Sequence, residues 1–296
     1  MAEIRPYDPS DLAQLTALVN AHVATATPGW TLPSGWIATR LERNPDEYVV
    51  DPWVRERSTL VAVERERVVA ACHLLRYAGD ERVSDSYRDA GEVGWLFAYP
   101  AAHSAGEELL GAALRCIEEW QVTRRYACGG GLGPEVNGVA DCWAHVARLL
   151  REAGFEGGRE EVLYAGRLAD LGEPGEPPLP GLRVVRETFD GGVAFVALDG
   201  EDRVAELRVE LPDPSELPAL ARWADGWGIR VEEALRRRGV ATWLVREAAA
   251  WLRLAGRDRL VWPLVPDEDA GEEAFWRALG LVELTRIRRG WTLSRG

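Results

Sequence analysis

Two spacings of apolar residues alternate along this chain, one at every second position and one at every third or fourth. The chain opens with a short strand, EIRPY, stops at the helix-starting DPSD, and continues as the amphipathic helix LAQLTALVNAHV. A strand pair follows in STLVAVERERVVAACHLLRYA, with the charged ERER as its turn. Next come strand GEVGWLFAYP, helix AGEELLGAALRCIEEW, strand RRYACGG, helix VADCWAHVARLLREAGF and strand EVLYAGRL. Further on the same order returns. GLRVVRE leads into the pair GVAFVALDGEDRVAELRVEL, then strand GWGIRVEE, helix VATWLVREAAAWLRLAG, strand DRLVWPLV, helix DAGEEAFWRALGL and strand LTRIRRGWTL. The pattern predicts an α/β chain of the mixed α+β kind, made of two imperfect copies, each a central mixed sheet flanked by helices. The second copy is the shorter. It lacks a counterpart to the first helix and the segment GWTLPSGWIATRLERNPDEYVVDPWV.

Between the copies lies LADLGEPGEPPLPG, dense in Pro, Gly and Glu, which reads as a stiff, exposed linker. The expected division is residues 1–167, a linker at 168–180, and residues 181–296.

Composition narrows the function. The chain has 296 residues, 47% hydrophobic and 28% charged, which suits two globular domains. No apolar run reaches the roughly eighteen residues of a membrane span, and the start of the chain lacks the apolar core of a signal peptide. Four scattered cysteines without CxxC spacing suit reduced thiols and a cytoplasmic location. His22, His73, His103 and His145 make no ligand pattern, so no metal is expected. A net charge of -13 argues against a nucleic-acid partner. The expected solution state is a monomer or homodimer.

Candidate chemistry concentrates at one junction. Arg236, Arg237, Arg238 and Gly239 stand between a strand and a helix that lines up Val240, Leu244, Ala248 and Trp251 and ends at Gly256. The first turn of that helix carries unpaired N–H groups and partial positive charge. Gly239 and Ala241 let a ligand's oxygens approach the backbone, and the arginines add bidentate donors. The combination suits a pyrophosphate.

In this setting Arg236-Arg237-Arg238-Gly239-Val240-Ala241 resembles the acetyl-CoA signature of the GNAT superfamily of N-acetyltransferases: Arg or Gln, two residues, Gly, one residue, Gly or Ala. A strand precedes it, and a strand and a helix ending WRALGL follow, as in that family. The whole chain is similar to a tandem GNAT protein. The resemblance implies an acyltransferase that takes acetyl-CoA as co-substrate and acetylates a small amine. Cofactor contacts are then expected from Val231 (the backbone donor near the thioester), Arg236 to Thr242, and Trp276. The family's tyrosine acid falls on Trp276, which cannot protonate a thiolate, and its asparagine on Asp269. A CoA-binding protein with little or no turnover is the alternative. In the first copy the signature slots hold His103 to Glu108, and Glu107 and Glu108 would repel a diphosphate. That copy is expected to have lost the cofactor.

For the base, the resemblance points to Asp225, eleven residues before Arg236; the same count from His103 gives Glu92. Strand alternation would place Asp225 on the face of Trp227, Ile229 and Val231. A turn acid in WADGWG is the competing reading, and Glu232 and Glu233 are the alternative bases. The first copy's extra segment holds Trp30, Trp36 and Trp53, with Asp46, Glu47 and Asp51, a set that would suit a cationic amine at a wall of the acceptor site. The competing reading makes those tryptophans plain core.

Overall fold

The computed structural model describes residues 2–45, 47–129, 136–266 and 270–293. In chain order the first half runs β1 (Glu3–Pro6), α1 (Leu12–Ala26), α2 (Ser34–Glu42), β2 (Val54–Glu64), β3 (Arg67–Tyr77), β4 (Ala90–Ala98), α3 (His103–Glu119), β5 (Arg124–Ala127), β6 (Val139–Ala140), α4 (Ala144–Glu152), β7 (Phe155–Glu156) and β8 (Glu160–Arg167). The second half runs β9 (Leu182–Phe189), β10 (Gly192–Asp199), β11 (Asp202–Glu210), β12 (Trp223–Val231), α5 (Val240–Leu254), β13 (Arg259–Leu264), α6 (Ala270–Ala278), β14 (Val282–Arg288) and β15 (Trp291–Leu293). Among the described residues, no helix is long and apolar enough to cross a membrane.

Two compact units form, and their boundaries are not those the composition suggests. The first contains residues 1–161 and 285–296; the second contains 162–284. The expected linker therefore lies inside the second unit. Its first residues make a 3-10 turn, Leu168–Leu171, with Leu168 and Leu171 buried in that unit's core. Arg246 donates to the Leu171 carbonyl at 3.1 Å and Arg253 to Glu173 at 2.8 Å, so the segment lies along α5. Pro and Gly mark where a chain leaves regular structure, not where it changes partner.

The first unit has a sheet in the order β1-β2-β3-β4-β5-β15-β7. The end of the chain supplies β15, with Trp291 opposite Ala127 of β5 and Leu293 opposite Phe155 of β7. Trp291 is 1% exposed and its indole donates to the Arg288 carbonyl at 2.9 Å. The β2–β3 turn takes positive φ at Arg65 and Glu66, the hairpin conformation that follows strand twist.

The second unit's sheet runs β8-β13-β12-β11-β10-β9. Here β8 pairs antiparallel with β13, Tyr164 standing opposite Trp262. Helix α5 buries Val240, Leu244, Ala248, Ala249 and Leu252 against this sheet. The chain's mixed sheets with flanking helices match the expected fold class.

Candidate functional site

In the second unit the central feature is a strand that separates from its neighbour. β12 pairs in parallel with β13 only over Trp223–Asp225. Immediately after, the register with β11 shifts: Val209 faces Gly226 and Arg208 faces Gly228, leaving Trp227 as the bulged residue. The bulge corrects the expected alternation. Asp225 falls on the face of Gly228 and Arg230, not on that of Ile229 and Val231. It is 8% exposed, whereas the alternative bases Glu232 and Glu233 are exposed.

Beyond the bulge β12 keeps β11 on one edge. The Glu232 N–H donates to the Val204 carbonyl at 2.9 Å, so the N–H groups of Val231 and Ile229 alternate to the other edge, where β13 no longer pairs. The Val231 N–H therefore lies on the edge away from β11. The Val231 carbonyl on that edge accepts from Arg236 Nε at 3.1 Å.

The arginine loop follows. Arg237 has φ 62, and Gly239, the residue that caps α5, has φ 84. Arg236, Arg237, Arg238 and Gly239 are all exposed, while Ala241 and Thr242 are half-buried and Val240 is in the core. A Cβ at Gly239 would come no closer than 3.5 Å to Pro178, so its need for glycine is conformational. The loop offers exposed guanidinium groups and the open first turn of a helix, and its backbone chemistry fits a diphosphate.

The first unit repeats the strand but not the loop. Its β4 pairs in parallel with β5 over Ala90–Val93, and the register with β3 shifts so that Gly94 is the bulged residue. Glu92 therefore occupies the place of Asp225. Between strand and helix, however, only residues 99–102 intervene, against 232–239 in the second unit. In that span α3 has already begun. Gly106, far from facing a ligand, is buried where a Cβ would meet Leu149 of α4 at 2.7 Å. His103 pairs with Glu152 at 3.0 Å, and Glu107 and Glu108 are exposed. His103, Glu107 and Glu152 converge within 4.8 Å, the two glutamates exposed and His103 half-buried.

The acetyltransferase (GNAT) family model matches residues 167–281. Those residues are similar to a GNAT domain. Solved structures extend the likeness to the whole chain. A tandem GNAT protein from the clavulanic acid biosynthesis pathway superposes with a TM-score of 0.66 at 16% identity, over 100% of both chains. A GCN5-related N-acetyltransferase from Sphaerobacter thermophilus gives 0.63 at 13% identity, over 100% of this chain and 96% of that one. A glucosamine N-acetyltransferase region of a fungal multi-domain GH3 β-N-acetylglucosaminidase gives 0.64 at 15%, over 98% of this chain and 38% of the other. At these identities the likeness is one of fold, and the fold is that of a tandem GNAT protein. No curated protein matches the sequence.

In the second unit Trp276 is a core residue, not a surface beside the arginine loop. It is 0% exposed, packs on Trp262 with ring centroids 4.0 Å apart, and donates its indole N–H to Glu272 at 3.0 Å. The second unit also holds a tyrosine. Tyr164 arrives on β8, donates to Glu273 at 2.7 Å and accepts from Arg277 at 3.1 Å. Burial pushes its hydroxyl up, with the hydrogen bond to Glu273 acting the same way. Asp269 lies outside the described residues.

The first unit contains a cavity of about 230 Å³. His73, Leu75 and Tyr77 of β3 and Glu92 and Trp95 of β4 form its floor, all on one face because of the Gly94 bulge. The extra segment contributes Arg40, Asn44, Glu47, Val50 and Asp51 to its lining. The three tryptophans sit elsewhere. Trp30 is 1% exposed in the core, Trp36 carries the Arg40 guanidinium 3.0 Å over its ring, and Trp53 packs 6.0 Å from Tyr87. Asp46 lies outside the described residues.

Glu92 is 2% exposed. The Tyr77 hydroxyl donates to it at 2.6 Å and the Gly129 N–H at 2.8 Å. Burial pushes its carboxyl up, opposed by those two hydrogen bonds and by the Arg289 charge. Burial likewise drives the His73 imidazole down to about 3, so it is neutral.

Proposed function

We propose that the protein is an acyltransferase that moves an acetyl group from acetyl-CoA to a small amine, with CoA held by the second unit. One observation carries this reading. The arginine-rich loop capped by Gly239 opens α5 beside the unpaired edge of β12, while the corresponding span of the first unit is helix packed on α4.

Arg237 and Arg238 would hold the diphosphate with the first-turn N–H groups of α5. Arg236, braced on the Val231 carbonyl, fixes the loop to the strand end. The outward N–H groups of Ile229 and Val231 would orient the amide-bearing arm and the acyl carbonyl. Bound acetyl-CoA supplies an electrophilic thioester whose thiolate, with a pKa of about 8.5, can leave without an acid. Asp225 would take the proton from the acceptor ammonium, directly or through water, since an amine with a pKa of about 10 is protonated near neutral pH. Trp276 donates elsewhere and Tyr164 is committed to α6, so neither serves as the acid.

Acetyl-CoA with a panel of amines, read by thiol release, tests the proposal. Turnover that disappears in Gly239→Glu supports it. Thiol release that persists in that variant would remove the loop from the mechanism.

A further inference from the structure

Where α3 and α4 of the first unit meet, three ligand-type side chains from the two helices face one point. His103 opens α3, Glu107 stands one turn further on the same face, and Glu152 closes α4. His103 Nε2 lies 3.0 Å from one Glu152 oxygen and 3.6 Å from a Glu107 oxygen, and the three donor atoms fall within 4.8 Å of one another. The other ring nitrogen, Nδ1, is buried without a partner, which leaves Nε2 as the nitrogen facing the carboxylates. Arg148 approaches the second Glu152 oxygen, at 3.6 Å, and not the one that faces His103. Glu107 has no basic partner other than His103 among the described residues.

One imidazole nitrogen with two carboxylate oxygens is a zinc-type donor set. Zinc bonds of roughly 2.0–2.2 Å put the ligand atoms of a tetrahedron about 3.3–3.6 Å apart. The two separations from Nε2 straddle that edge, and the third closes by rotation of the exposed glutamates. Two carboxylates balance a divalent charge, and the carbonyl end of α4 adds partial negative charge at Glu152. The ligands stand on rigid elements: Gly106 brings α3 so near α4 that a Cβ there would meet Leu149 at 2.7 Å. We propose that His103, Glu107 and Glu152 bind one divalent transition-metal ion of the zinc type, with water completing its shell. The ion pins the start of α3 to the end of α4. In the second unit the slots aligned with His103 to Glu108 hold Arg236 to Ala241, so the first unit presents a cation site where the second presents guanidinium groups. Histidine spacing does not show the site, because Glu152 joins it only through helix packing. It does not depend on acyl transfer taking place.

Calorimetric titration of the tag-free full chain with Zn²⁺, after stripping with EDTA, tests this. One equivalent should bind with a Kd of about 100 µM or tighter. His103→Ala should weaken that binding by at least about ten-fold, and Glu107→Gln and Glu152→Gln should each do the same. Glu108→Gln, at an exposed neighbour outside the cluster, should leave it unchanged. Thermal unfolding of the metal-free proteins, matched between parent and variants, separates loss of a ligand from loss of the fold. Zn²⁺ should then raise the Tm of the parent and of Glu108→Gln more than that of the other three. Absence of saturable binding tighter than about 100 µM, or binding that survives His103→Ala, overturns the proposal. Binding that needs His103 but neither glutamate assigns the ion to a lone imidazole and overturns it as well.

Discussion

Gly94 and Trp227 hold the same position in the two units: each is the residue bulged from its central strand, two places beyond a buried carboxylate, Glu92 or Asp225. A bulge re-aims the side chains that precede it, so the equivalence fixes the face on which both acids stand. If Asp225 is the base, Asp225→Asn should lower kcat by about 100-fold or more while leaving acetyl-CoA affinity intact. The deficit should narrow as pH rises, because the amine then loses its proton unaided. Steady-state kinetics across pH will check this, and normal turnover near neutral pH would return Asp225 to a structural role.

Residue counting made Glu92 and Asp225 counterparts, and the two bulges agree with it. Counting could not supply their orientation, because alternation assumes an unbroken ladder and Trp227 breaks it. Helix positions and most strands were legible from apolar spacing, since each buries one stripe or face. Strand partners were not. The segments around Tyr164 and Trp291 read as the final strands of their own copies, yet β8 belongs to the second unit and β15 to the first. Pairing is non-local and leaves no mark in composition. Arg40, Glu92 and Arg289, which line the cavity, likewise meet only in the fold.

Gly226 is required by packing. A Cβ there would meet the Trp262 ring at 1.8 Å, whereas one at Gly228 would meet nothing within 4 Å. Gly226→Ala should therefore destabilise by about 1–3 kcal/mol, and Gly228→Ala should stay within about 0.5 kcal/mol of the parent. Urea denaturation of the two variants compares them directly. Equal midpoints would show that Trp262 can move aside.

The strand assignments predict which fragments fold. Residues 181–296 lack β8, with Tyr164 and the Leu168–Leu171 turn, all of which are core to the second unit. That fragment should show a collapsed, poorly dispersed NMR spectrum, and residues 162–284 a dispersed one. Dispersed spectra from residues 181–296 alone would mean that β8 is dispensable.

Acid should weaken the first unit through its histidines. His73 is held down at about 3, and burial lowers His22 as well, while an imidazole in the unfolded chain titrates near 6.5. For His73 the unfolded state binds more protons between those values, so stability falls as pH drops from about 6.5 towards 3, by up to about 1.4 kcal/mol per pH unit, and the lowered His22 acts in the same direction. Glu92 acts in the opposite sense. Its raised carboxyl binds a proton more tightly when folded, so its contribution declines as pH rises through the folded value. His73→Asn should flatten the dependence of the urea midpoint on pH in the acid range. Superimposable curves for variant and parent would show that His73 is not the group responsible.

The central claim is that one unit carries the CoA site and the other does not. Isothermal titration calorimetry of the full chain with acetyl-CoA measures this as a stoichiometry. One equivalent per chain is expected, and none in Gly239→Glu, where a left-handed backbone position receives both a side chain and a negative charge. Two equivalents per chain, or undiminished binding by Gly239→Glu, would contradict the account.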